Sequence, residues 1–258
     1  MISQFITHFS NAPVYAGIAT IAAFAGASIW LWFWLREDDH PEPWRLLALA
    51  FFAGALIVPF VVPLQRLGYE LYIANEPLMV TSWALVEELY KYGIALLLIL
   101  WRRAVDEPID YVIYMIMIGV GFATFENILY LYKTLIEING TTILPLAGTP
   151  AGTELVRVGA MRFVGASLVH IVSSATIGIA MAFAFNASQR TRLIAGLLGL
   201  STATLLHTLF NLTIISRTQS ASSLGAVFLG VWISVIVLLV LMERVKHIRT
   251  KTNTPGTT

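Results

Sequence analysis

The sequence predicts an all-α fold, a polytopic transmembrane helix bundle of about seven spans. Three observations predict it. The 258 residues are 57% hydrophobic and only 12% charged, whereas soluble domains are usually about a quarter charged. Mean hydropathy is +0.77. Apolar runs of about 20 residues, enough to cross a bilayer, recur along the chain between short polar stretches.

The spans follow in order. Span 1 covers residues 14–35 and ends in Trp30, Trp32 and Trp34, read as an interfacial aromatic cluster. No Lys or Arg precedes Arg36, so this run lacks the basic start of a cleaved signal and reads as a retained anchor. The loop bearing Glu37, Asp38, Asp39, His40 and Glu42 reads as solvated rather than as a metal site. Span 2 covers 44–64, with Pro59 and Pro63 expected to kink or end it. Span 3 covers 78–101 and span 4 covers 109–132. The longest loop, 133–155, is rich in Thr, Gly and Pro. Spans 5, 6 and 7 cover 158–185, 193–215 and 224–242. Residues 1–243 are read as one transmembrane domain. Residues 244–258 are read as a basic, disordered cytoplasmic tail.

Charge sets the orientation. Arg36, Arg45, Arg102, Arg103, Arg190, Arg192, Arg244, Lys246, Arg249 and Lys251 flank one set of span ends. Arg66, Lys133, Arg157, Arg162 and Arg217 flank the other. The richer side is cytoplasmic, which puts the C-terminus inside and the N-terminus outside, as an odd number of spans requires. The expected location is the plasma membrane of a prokaryote. A net charge of +1 gives no reason for nucleic-acid binding, and the absence of cysteine excludes disulfides, thiolate ligands and a cysteine nucleophile.

Against this apolar background a small ionisable set stands out: Glu87, Glu88 and Lys91 in span 3, Glu126 in span 4, His170 in span 5 and His207 in span 6. A charge at the centre of a span costs roughly 2.5–3.5 kcal/mol on insertion scales, so three within five residues need a reason. Counted from the outer ends of their spans, Glu87, Glu126, His170 and His207 lie at depths of roughly 9–18 Å. Four helices running alternately up and down thus place acids and histidines in one layer, in the outer half of the bilayer. Glu87 and Glu88 both reach Lys91 by helical spacing, at i+4 and i+3. Successive residues point about 100° apart, so the two acids cannot both face one reaction centre. His170 has Ser174 at i+4, His207 has Asn211 at i+4, and Phe122, Glu126 and Tyr130 share a stripe. Gly119 and Gly121 allow close helix approach.

Carboxylates and imidazoles between apolar walls suit hydrolysis. A Glu takes a proton from water, and a His or Asn donates to the oxyanion. Alternatively, Glu126, His170 and His207 hold a zinc ion and Glu87 is the base. No HExxH helix supports the zinc reading. A reading from a different class is a proton- or cation-coupled transporter with a buried acid/His relay.

The residues also resemble a known family. Pro41-Glu42-Pro43 with Leu46-Leu47, the block Glu87-Glu88-Leu89-Tyr90-Lys91, the stretch Gly119 to Tyr130 containing Phe122 and Glu126-Asn127, and the spans bearing His170 and His207-Thr208-Leu209-Phe210-Asn211 resemble, in that order, the PrsW-type intramembrane proteases. That family lies within the superfamily of CAAX prenyl endopeptidases and bacteriocin-processing proteins. The resemblance implies endoproteolysis of a membrane-associated protein, such as the first, outer-side cut of an anti-sigma factor. It also implies roles for these residues. One acid of the Glu87/Glu88 pair activates water, and His207 with Asn211 serves the oxyanion. The residues themselves are read with Glu87 as the base and Glu88 and Lys91 orienting it, the reverse assignment of the two acids staying open, and with Glu126 and His170 completing the water or metal site. CAAX-type relatives commonly carry His where this chain has Glu126. The glutamic, metal-free type is the reading preferred from sequence, with zinc as the alternative.

Overall fold

The computed structural model describes residues 13–138, 150–217 and 221–248. Among them are seven helices and no strand, as an apolar chain without water for its backbone requires. They are α1 (Pro13–Leu35), α2 (Trp44–Tyr72), α3 (Glu76–Leu98), α4 (Pro108–Ile138), α5, α6 (Gln189–Arg217) and α7 (Ala221–Lys246). Helix α5 is built of an α-helical Pro150–Ala160, a π-helical Met161–Ala166 and an α-helical Ser167–Phe183. Six of the seven are long and apolar enough to cross a membrane. The exception is α3, which carries Glu87, Glu88 and Lys91 in its middle.

Helix α4 is the central post. Every residue from 108 to 124 is buried, as befits a helix that is apolar all round. It packs against α1, α2 and the Ser167–Phe183 part of α5. Two glycines permit the approach: a Cβ on Gly121 would lie 1.9 Å from the Phe51 carbonyl oxygen, and one on Gly119 would lie 2.7 Å from that of His170. The α2 and α5 backbones therefore touch α4 on nearly opposite faces, since residues two apart on a helix point about 200° apart, and α5 brings His170 against α4. Helix α3 starts at a cap: the Asn75 side chain accepts from the Leu78 N–H at 3.1 Å, with Pro77 in the first turn. This anchors the helix about three turns before its acids.

Several boundaries differ from expectation for identifiable reasons. Helix α2 passes through Pro59 and Pro63 to Tyr72 instead of ending near 64. Each proline removes one backbone N–H bond, which membrane helices tolerate when neighbours are packed around them. The added turns carry Gln65 to the site. The tryptophans of α1 are not a uniform interface belt. Trp32 is exposed, but Trp34 is buried and the buried Trp30 donates its Nε1–H to the Phe163 carbonyl at 3.0 Å. The acidic loop is pinned as well as solvated. Asp38 is buried, Tyr114 donates to the Glu42 carboxylate, and Lys246 reaches Glu37 at 3.3 Å. Burial pushes the Asp38 and Glu42 carboxyls up from the ordinary range. Helix α4 continues six residues into the expected long loop, of which 139–149 lie outside the described residues. Helix α7 runs to Lys246, and of the expected tail 249–258 lie outside them.

Candidate active site

The ionisable residues of the four middle helices meet. Glu87, Glu88, Lys91, His170 and His207 are all buried, none more than 3% exposed. Helix geometry divides the two adjacent acids as the 100° rotation requires. Glu88 turns away from the cleft. Its Oε1 accepts from Lys91 Nζ at 2.6 Å, from His207 Nδ1 at 2.7 Å and from Ser173 Oγ at 2.8 Å. Glu87 faces the cleft, with its Oε1 held by Gln65 Nε2 at 2.6 Å. Its Oε2 has no hydrogen-bond partner and lies 3.7 Å from both His170 Nδ1 and His207 Nε2.

The imidazole tautomers follow from their partners. A carboxylate only accepts, so His207 donates through Nδ1 to Glu88 and leaves the Nε2 lone pair free. His170 donates through Nε2 to Glu126 Oε2 at 3.0 Å, which leaves its Nδ1 lone pair facing inward. Lys91 Nζ stands 3.2 Å from that Nδ1. The two rings are nearly perpendicular, 5.0 Å between centroids. Phe122 packs against His170 at 5.0 Å and lies beneath the Lys91 ammonium at 5.0 Å. Each histidine is thus oriented by a carboxylate on its far nitrogen, the arrangement that positions metal-binding imidazoles.

Glu126 is fixed by a residue that sequence reasoning did not single out. Arg162 Nη2 pairs with the same Glu126 oxygen that His170 uses, and its Nε donates to Asn127 Oδ1 at 2.8 Å. The arginine lies in the π-helical turn of α5 and stacks over Tyr130 at 4.1 Å. The turn itself is braced from α1, where Trp30 stacks on Phe163 at 5.1 Å. Such turns interrupt the i+4 register, so no helical periodicity points Arg162 to Glu126. Gln65 was missed because it lies beyond the expected end of span 2. Ser173, which the i+4 pairing with His170 did not pick out, donates to Glu88. Ser174 Oγ has no partner. Asn211 lines the same cleft as Glu87, Glu126 and both histidines, a cavity of about 620 Å³. Replacing Arg162 with Gln should release Glu126 and lower turnover roughly 10–100-fold, with Lys at that position restoring part of it. A turnover unchanged in both variants would show that Arg162 does not position the site.

One oxygen of Glu87 and one ring nitrogen each of His170 and His207 lie within 4.8 Å of one another. Glu88 has Lys91 and Glu126 has Arg162, but Glu87 has no cation in contact. A buried carboxylate needs a positive partner. A divalent ion at this point would meet that need, so the residues fit one. In this set Glu87 takes the place expected for Glu126, whose oxygen is already committed to Arg162 and His170.

The fold and site define a polytopic helical membrane protein with an enclosed Glu/His centre. Residues 42–242 match the family described as PrsW family intramembrane metalloprotease. The chain belongs to that family. Protease PrsW of Geobacillus kaustophilus is 30% identical over 131 residues, 48% of this chain and 54% of that protein. Protease PrsW of Bacillus subtilis is 29% identical over 122 residues, 46% and 54% of the two chains. Protease PrsW of Clostridioides difficile is 29% identical over 108 residues, 39% and 45%. The chain thus spans about half the length of the curated relatives it matches. It is an integral membrane protein of a prokaryote. No solved structure matches it significantly.

Proposed function

We propose that this chain is an intramembrane endopeptidase that hydrolyses a peptide bond of a membrane-associated protein. The site lies in the outer half of the bilayer of the plasma membrane. The N-terminus is outside, as the loop charges indicate, and an outer-side cut of an anti-sigma factor is one such reaction. The carrying observation is Glu87 Oε2, buried and unpartnered between two inward-facing imidazole nitrogens. Membership in a family of proteases supports this reading over a transporter.

Glu87, His170 and His207 would hold a divalent ion such as zinc. When bound, such an ion supplies Lewis acidity and a water acidified toward neutrality. The chain's own groups do the rest. Glu126 and Glu88 keep the two imidazoles in the tautomers that present free lone pairs. Lys91 neutralises Glu88, and Gln65 holds the Glu87 carboxyl in its rotamer. Asn211 lines the cleft four residues after His207 and donates to the peptide oxygen as it gains negative charge. The apolar walls exclude competing water and strengthen each of these interactions.

One observation favours the metal-free reading preferred from sequence. Lys91 Nζ sits 3.2 Å from His170 Nδ1, where an ion would bind, and must yield that contact to it. In that reading Glu87 Oε2 takes the proton from water directly, and His207 with Asn211 receives the oxyanion. Chelation separates the two. We expect purified protein in detergent to carry one zinc per chain by elemental analysis, to lose zinc and cleavage of single-span peptides together under a strong chelator, and to regain both on adding zinc. Zinc content should also fall in His170→Ala. Full cleavage by metal-free protein would establish the glutamic route instead. Inert protein in every metal state would overturn the proteolytic assignment.

A further inference from the structure

A second cavity lies on the other side of His207. It measures about 210 Å³ and opens between α5, α6 and α7. Leu168, Val172, Leu206 and Val231 form its apolar walls, and Ser173 and His207 close its inner end. Val169, His207 and Phe210 line both this cavity and the 620 Å³ cleft, so three side chains are the partition between them. A group held against Glu87 is therefore one imidazole's thickness from this space.

The chemistry of the lining defines its occupant. Each of its hydroxyls is already engaged: Ser173 Oγ donates to Glu88 at 2.8 Å, Thr213 Oγ1 to the Leu209 carbonyl at 2.6 Å and Ser234 Oγ to the Gly230 carbonyl at 2.9 Å. His207 Nδ1 is committed to Glu88. Its other nitrogen, Nε2, lies 3.7 Å from Glu87 Oε2 on the cleft side of the ring. The hydroxyl and Nδ1 donors of the lining are thus all spent, and burying a polar guest there without a partner costs a few kcal/mol, roughly 1–3. The volume suffices for a large side chain, since a cavity of about 150 Å³ already takes a benzene-sized guest. Glycine at 230 keeps the space open, as a Cβ there would meet nothing within 4 Å.

We propose that this cavity is a substrate subsite: it receives one large apolar side chain, of the Leu, Ile, Met or Phe kind, from a residue next to the scissile bond. The proposal rests on the proteolytic reading above and adds to it a selectivity that the reacting groups themselves do not impose. Adjacency to the cleft, with Val169, His207 and Phe210 lining both spaces, favours a substrate side chain over a lipid chain.

The test uses the full-length protein in detergent micelles and single-span model peptides with the outer half of the span randomised. Cut bonds are mapped by mass spectrometry. Wild type should cut beside large apolar residues. A Cβ at 230 meets nothing within 4 Å, so Gly230→Leu starts from open space and should fold, and it should shift the cuts to Ala, Gly or Ser. Its kcat/KM for Leu- or Phe-bearing peptides should fall roughly tenfold or more, in line with the 10–200-fold set by a methylene or so in an apolar pocket. Leu206→Ala enlarges the cavity and should shift cuts toward Phe and Trp. Unchanged preference in both variants overturns the subsite while leaving proteolysis intact. So does an equal loss across all peptides, which is the outcome for a cavity filled by lipid. Wild-type protein that cuts nothing overturns both readings.

Discussion

Glu87→Gln should abolish peptide cleavage, by on the order of 10²–10⁴-fold, while the protein still inserts and accumulates. The substitution keeps the shape of the side chain and leaves an oxygen for the Gln65 amide, which now sits at 2.6 Å. It removes the only carboxylate of the site without a cationic partner, and with it the oxygen that faces both imidazoles. If the proposed Glu87/His170/His207 set holds zinc, the same substitution should abolish zinc binding, since two neutral imidazoles alone bind far more weakly than a Glu/His/His set. Cleavage of a single-span peptide and elemental analysis of the same sample measure the two effects. A variant that cuts at the wild-type rate would remove Glu87 from the mechanism. One that loses cleavage but keeps its zinc would leave Glu87 as base and move the ion elsewhere.

Lys91→Met should be strongly destabilising. Lys91 and Glu88 form an ion pair at 2.6 Å with both side chains fully buried. Removing one partner leaves an uncompensated buried charge, typically 3–5 kcal/mol. The cost arises less from the lost attraction than from the carboxylate left behind. Glu88→Gln in the same chain should therefore recover a large part of it, since a neutral amide can still meet His207 and Ser173. Thermal unfolding in detergent, monitored for the two single variants and the double variant, checks this. Additive losses would show that the pair is not coupled and that the cost has another source.

The two predictions concern neighbouring residues of one helix, and the divergence of its two acids was legible in the sequence, though not which of them faces the cleft. Consecutive residues on a helix diverge by about 100°, so one acid of a Glu-Glu pair must serve the other's neighbours. The buried set itself was legible for a stronger reason. In an apolar chain each ionisable residue inside a span is expensive, so Glu87, Glu88, Lys91, Glu126, His170 and His207 stand out without any structural aid. Asn211 could be added because it is one helical turn from His207. The residues that were missed lack these signals. Gln65 is an ordinary polar residue beyond two prolines that read as a helix end. Arg162 read as a residue near the start of its span. Ser173 is one residue from Ser174, the i+4 neighbour of His170, and which of them reaches Glu88 depends on the rotation of α5 about its axis.

Composition and spacing alone thus determined a helical membrane protein and the list of groups that must be buried together, because the cost of a charge in lipid depends on the residue type and not on its neighbours. The pairing of those groups was decided by the tertiary structure. A π-helical turn in α5 and a proline-containing α2 that does not stop bring Arg162 to Glu126 and Gln65 to Glu87. Once Arg162 holds Glu126 and Lys91 holds Glu88, Glu87 is the carboxylate left to face His170 and His207. That assignment depends on distances between helices, which a one-dimensional pattern of hydropathy and charge does not contain.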